Sequence, residues 1–177
     1  MLHEEFSYEL FRERTKKLLE QYNNIIKQTT PLEDWYDVTL SVNCLYGLLM
    51  VVSEKYRGHL PEDDAVEYLR SNGIDENKIK ISAVLNCHGC DKAFASRPIT
   101  ITFQDLITGI RNGLAHWEDN RNKKDYKDNV SYKKSDDGHV TEIVIKGKIH
   151  NFKVLVTATF LMGPDNNPIF DLVQLIP

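Results

Sequence analysis

The sequence predicts a mainly α fold, a bundle of four or five helices with a small C-terminal antiparallel β element. Two features of the chain carry that expectation. Apolar residues recur at three- and four-residue steps through the first third and again around 102–117, and the period drops to two only beyond Asp137-Gly138. At 177 residues the chain can bury a core without disulfides or metals. A hydrophobic fraction of 41% beside a charged fraction of 27% excludes the disordered and collagen-like classes.

Residues 3–28 read as a long amphipathic helix. Phe11, Leu18, Tyr22, Ile25 and Ile26 form its apolar stripe, widened by Phe6, Leu10 and Leu19. Thr29, Thr30 and Pro31 stop it. A second helix should run from about Glu33 to Lys55. It is apolar nearly all round, which marks a central helix or a subunit interface. Asp37, Thr39, Ser41 and Asn43 are polar residues within it and would need partners if buried. Asn43 could orient a neighbouring active-site group, satisfy a backbone carbonyl, or lie on an exposed strip. Pro61 and the acids Glu62, Asp63 and Asp64 suit the start of a short helix with Ala65, Val66 and Leu69 inward, ended by Asn72-Gly73.

Residues 79–85 fit either a strand or a helical turn. Cys87-His88-Gly89-Cys90 has too few companions for a four-ligand zinc site and no thioredoxin-like flank, so reduced loop thiols are its plain reading. Thr102 with Asp105 resembles a capping box, and Phe103, Leu106, Ile107 and Ile110 give the following helix its inward stripe. Residues 118–134 read as a surface loop. There Arg121, Lys123, Lys124, Lys127, Lys133 and Lys134 form the densest cation cluster, either a solvated loop or a phosphate-contacting rim. After the Asp137-Gly138 turn signal, residues 143–149, 152–160 and 169–176 read as strands, although 152–162 also admits a helix. The division expected is 1–135 helical and 136–177 a β-rich extension on the same core.

Net charge is −4, so recognition of nucleic acid would need a local basic cleft. Three cysteines, an acidic start without a signal-peptide pattern and the lack of a membrane-length apolar run point to the cytoplasm and away from a membrane.

The stretch Arg111-Asn112-Gly113-Leu114-Ala115-His116-Trp117 ends the 102 helix. It holds a permanent cation, an amide and a titratable imidazole. Seven Arg and six His would supply roughly 0.7 such pairs by chance, so the spacing alone carries little. Arg111 and His116 stand about 140° apart on an ideal helix and would not share one face. A plain alternative makes Arg111 a helix C-terminal cation, His116 a dipole-favoured residue and Trp117 a core or interface aromatic.

A helix ending in R-N-x-x-x-H, together with the apolar helix from Tyr36-Asp37-Val38-Thr39-Leu40 through Asn43 to Leu48-Leu49, resembles the HEPN superfamily of ribonucleases, in particular a plasmid- and phage-associated branch. The resemblance spans about 5–135 and leaves out 74–99 and the strand-rich tail. It implies a HEPN-like bundle and a homodimer whose composite active site lines one cleft. It implies a metal-independent endoribonuclease, with no cofactor and no metal. His116 would be the acid/base group, Arg111 the electrostatic stabiliser and Asn112 the orienting residue, with Asn43 and Asp37 in support and Trp117, Lys123, Lys124 and Lys127 on the RNA. The setting implied is a prokaryotic toxin or defence effector, with RNA as substrate and an antitoxin or regulatory partner. The alternative is a non-catalytic dimer of this type that binds RNA, a nucleotide or a protein.

The chemistry agrees with those residue types. RNA carries its own nucleophile, the 2′-OH, and its attack leaves a 2′,3′-cyclic phosphate and a 5′-OH; DNA lacks that hydroxyl. Histidine can move the protons near neutral pH, and arginine offers forked donors to phosphate oxygens. Two proton roles and one His per motif make a symmetric dimer chemically sensible.

Overall fold

Among the described residues, four strands, one of them from the middle of the chain, form an antiparallel sheet that shares the core with five α-helices. The computed structural model describes residues 8–22, 24, 37–52, 57–85, 97–115, 129–136, 138–151, 153–163 and 166–176. Helix α1 is Tyr8–Gln21, α2 Asp37–Val51, α3 Ala65–Ser71, α4 Phe103–Ala115 and α5 Pro168–Leu175. Strand β1 is Ile79–Leu85, β2 Val130–Lys134, β3 Val140–Ile149 and β4 Val154–Leu161. The order across the sheet is β1-β4-β3-β2.

This overturns the expectation of a mainly helical bundle with a small β element: the fold is α+β. The sheet also recruits more of the chain than the tail. β1 pairs with β4 along its whole length, from Ile79 opposite Phe160 to Leu85 opposite Val154. β2 comes from the end of the stretch read as a surface loop and pairs with β3, Tyr132 opposite Ile143. Neither segment shows a long alternating pattern, so each is a strand because a neighbour completes its hydrogen bonds.

The last element is a helix where a strand was expected. Pro168 occupies its first turn, and the Asn167 side chain accepts from Phe170 N at 3.1 Å. Ile169, Leu172, Val173 and Ile176 are buried at steps of three and four, a helical period. Other differences are matters of phase. On α1 the buried positions are Thr15 and Leu19, with Phe11 half-buried, while Leu18 is exposed. On α3 Ala65 and Leu69 are buried, Val66 is exposed, and Asp64 caps the helix through Val66 N and Glu67 N.

Helix α2 is central, as its sequence implied: Leu45, Leu48, Leu49 and Val52 are fully buried. Its buried Ser41 has a partner, since Asn167 Nδ2 donates to Ser41 Oγ at 2.9 Å. The β2–β3 turn falls where Asp137-Gly138 signalled it, with Gly138 at φ +90 and Gly138 N donating to Ser135 O. One face of the sheet is buried: Ile143, Ile145, Ile149, Val154, Val156, Ala158 and Phe160 all point into the core. One core cluster runs through helices and sheet, joining Leu45 and Leu48 to Phe103, Ile145, Phe160 and Leu172. No helix among the described residues is long and apolar enough to cross a membrane.

Candidate active site

Helix α4 positions the candidate residues, and it is locally well specified. Asp105 N donates to Thr102 Oγ1 at 3.1 Å and Thr102 N donates to an Asp105 carboxylate oxygen at 3.4 Å, the reciprocal bonds of a capping box. Phe103, Leu106, Ile107 and Ile110 are buried, as the stripe required. The helix stands unusually close to β3 and β4. Gly109 and Gly113, four residues apart, lie on its sheet-facing side. A Cβ on Gly109 would come 2.7 Å from Val156 Cβ, and one on Gly113 2.7 Å from Lys146 O. Gly147 on β3 completes the approach, because a Cβ there would overlap the Gly109 carbonyl oxygen. Three positions without side chains therefore let helix backbone touch strand backbone.

That approach brings the last turn of α4 within reach of the end of β3. Asn112 Nδ2 donates to Lys148 O at 2.8 Å. With its amide group held there, its Oδ1 accepts from Arg111 Nη1 at 3.1 Å. The guanidinium is thus drawn sideways, towards the seam between α4 and β3. Arg111 Nε is buried and has no hydrogen-bond partner among the described residues, and no carboxylate there pairs with the guanidinium. Among the described residues, this half-buried, permanent charge is held only by a neutral amide. Such a group is costly to leave unmatched and suits an anion.

The same seam continues along α4. Asp105 is seven residues before Asn112 and so on the same helical face. Its carboxylate meets His150 Nε2 at 3.1 Å while also capping Thr102. His150 and Asn151 turn the β3–β4 connection with φ of 50 and 55. Lys148, Asp105 and His150 were not among the residues expected here. The capping box showed Asp105 only as a helix cap, and nothing local in the sequence places β3 beside α4.

Of the other expected residues, Asn43 is exposed on α2 and Asp37 opens that helix. His116, Trp117, Lys123, Lys124, Lys127 and the Cys87–Cys90 pair lie outside the described residues. The structure therefore brings together Arg111, Asn112 and Lys148.

Among known proteins, a family model described as HEPN pEK499 p136 matches residues 1–162. The match reaches past residue 135 to take in β3 and β4, and it includes β1, so it covers parts of the chain that the sequence resemblance left aside. No curated protein and no solved structure matches the chain.

Proposed function

The chain belongs to the HEPN pEK499 p136 family, and from that premise we propose that it is a metal-independent endoribonuclease acting as a prokaryotic toxin or defence effector. The observation that carries this reading is the state of Arg111. Its charge lacks a carboxylate among the described residues, and its head is oriented by Asn112, which Lys148 O holds in turn. A guanidinium so placed can neutralise a phosphorane, which needs fixed donors in a partly dry site. His116, five residues on, would carry the proton transfers, and the second histidine would come from a partner copy in a homodimer. The 2′-OH of the substrate would attack the adjacent phosphorus and expel the 5′ oxygen, leaving a 2′,3′-cyclic phosphate and a 5′-OH.

The test is cleavage of an end-labelled single-stranded RNA by wild type, Arg111→Ala and His116→Ala, each checked for folding and oligomeric state, with EDTA throughout. Wild type should cut, both variants should fall by at least about a hundredfold, and DNA of the same sequence should stay intact. No cleavage by folded wild type on any RNA sinks the reading. Binding of RNA or nucleotide without cleavage, abolished in Arg111→Ala, would establish the non-catalytic alternative.

A further inference from the structure

We propose that the face of the sheet turned away from the core is a phosphate-tracking surface on which an RNA substrate lies; the inference deepens, and rests on, the ribonuclease reading above. Strand register defines that face. The core-facing positions are Ile143, Ile145, Ile149 and their partners, so the intervening residues of each strand point to the other side. On that side Ser82, Thr157 and Lys146 share one row, and Lys80, Thr159 and Val144 share the next. Lys148 lies beside Leu155, and Lys133 beside Glu142. None of these residues is buried, and Lys80, Lys133 and Lys148 are exposed.

The charge on this face opposes that of the whole chain. It carries Lys80, Lys133, Lys146 and Lys148 against Glu142, in a protein of net charge −4. Glu142 is already neutralised by Lys133 at 2.7 Å. Lys80, Lys146 and Lys148 make no ion pair among the described residues. Three unneutralised cations on β1 and β3, with the β4 hydroxyls of Thr157 and Thr159 between them, complement a polyanion more than an apolar partner. No aromatic side chain among the described residues shares the face, so binding there would be electrostatic and would fall steeply with salt.

Continuity with the candidate site gives the surface its orientation. Lys148 presents its side chain to this face while its carbonyl holds Asn112, which holds Arg111. A strand of RNA crossing the lysines would therefore reach the end of α4 at the Lys148 corner. Lys146 and Lys148 point the same way about 6.7 Å apart along β3.

The experiment measures binding of a fluorescein-labelled, non-cleavable 2′-O-methyl RNA of about 20 nucleotides by anisotropy across a salt series. Wild type is compared with the triple variant Lys80→Gln/Lys146→Gln/Lys148→Gln and with a control triple at exposed positions on α1 and α3, Arg14→Gln/Lys17→Gln/Arg70→Gln. The face triple should weaken binding by about tenfold or more near physiological salt and flatten the log–log salt slope by about 2, since each lost contact on a single strand removes roughly 0.7. The control should change neither by as much. Unchanged affinity and slope in the face triple, or an equal loss in the control, overturns the proposal. If the triple does not fold by circular dichroism, Lys80→Gln and Lys148→Gln singly carry the test, each expected to lower the slope by about 0.7. Cleavage of unmodified RNA is scored separately. Salt-dependent binding through the lysines with no cleavage leaves this surface standing and removes the nuclease reading. Cleavage by wild type with lysine-independent binding does the reverse. No RNA binding by wild type overturns both.

Discussion

Asn112 donates its side-chain amide to the main-chain carbonyl of Lys148, 36 residues further along the chain. The bond decides which way the Asn112 oxygen faces, and so where the Arg111 guanidinium is held. Asn112→Ala should leave Arg111 in place but unaligned. Under the ribonuclease reading, kcat falls roughly ten- to a hundredfold, as when a supporting hydrogen bond to a catalytic group is lost. Stability should change by only about 1 kcal/mol. Steady-state kinetics beside urea melts separate the two, and a variant with wild-type kcat would remove Asn112 from the site.

The contact of α4 with β3 makes a sharper structural prediction. Gly147→Ala places a Cβ against the Gly109 carbonyl, a backbone atom that cannot rotate away. It should cost about 3 kcal/mol or more, since overpacking against backbone forces the elements apart. Gly109→Ala meets a side chain, Val156, and should be partly rescued by Val156→Ala in a double-mutant cycle. Gly58→Ala has open space around it and should lie within about 0.5 kcal/mol of wild type. Equal melting temperatures for Gly147→Ala and wild type would refute the close approach.

Lys16 joins the two ends of the chain. Its Nζ donates to Gln174 O at 2.9 Å and Ile176 O at 3.0 Å, the carbonyls at the end of α5. Lys16→Ala should destabilise by about 1–2 kcal/mol. Burial lowers the Lys16 pKa below the ordinary lysine value of 10.5; the nearby Arg12 adds to this and Glu20 opposes it. The unfolded chain then holds the Lys16 proton to higher pH than the folded one. Stability from this group is complete above 10.5 and is lost as pH falls through the lowered folded value. The stability gap between wild type and Lys16→Ala should widen as pH rises toward 10.5, and chemical denaturation at three pH values would measure it.

Cys44 should be inert in the folded protein. It is 9% exposed, and burial pushes its thiol pKa up, which keeps it from the thiolate form. In a Cys87→Ser/Cys90→Ser background, iodoacetamide at pH 8 should label Cys44 only after denaturation. Rapid labelling of the native protein would contradict its place in the core.

The helices were largely legible because what specifies them is local. Thr102 and Asp105 announce the start of α4, and the all-round apolar character of α2 announces a central helix. Even the missed helix α5 carried its signal, in Pro168 and in the spacing of Ile169, Leu172, Val173 and Ile176. A short apolar run of that length fits both periods, and the preceding strands favoured the wrong one. The sheet was underestimated because β1 and β2 are defined by pairing more than by pattern.

By itself the sequence determined the kind of chemistry available at the end of α4: a permanent cation, an amide and, five residues on, an imidazole. It determined equally that recognition of RNA would need a local concentration of charge in an acidic chain. Only the tertiary structure decided where that charge gathers and what orients the arginine. Lys80, Lys146 and Lys148 share a face because β1 and β3 both flank β4 in one register, and a slip of one residue would turn a strand's lysines into the core. Asn112 meets Lys148 because Gly109, Gly113 and Gly147 coincide across two elements. Both arrangements depend on distances between residues far apart in the chain, which no local pattern encodes.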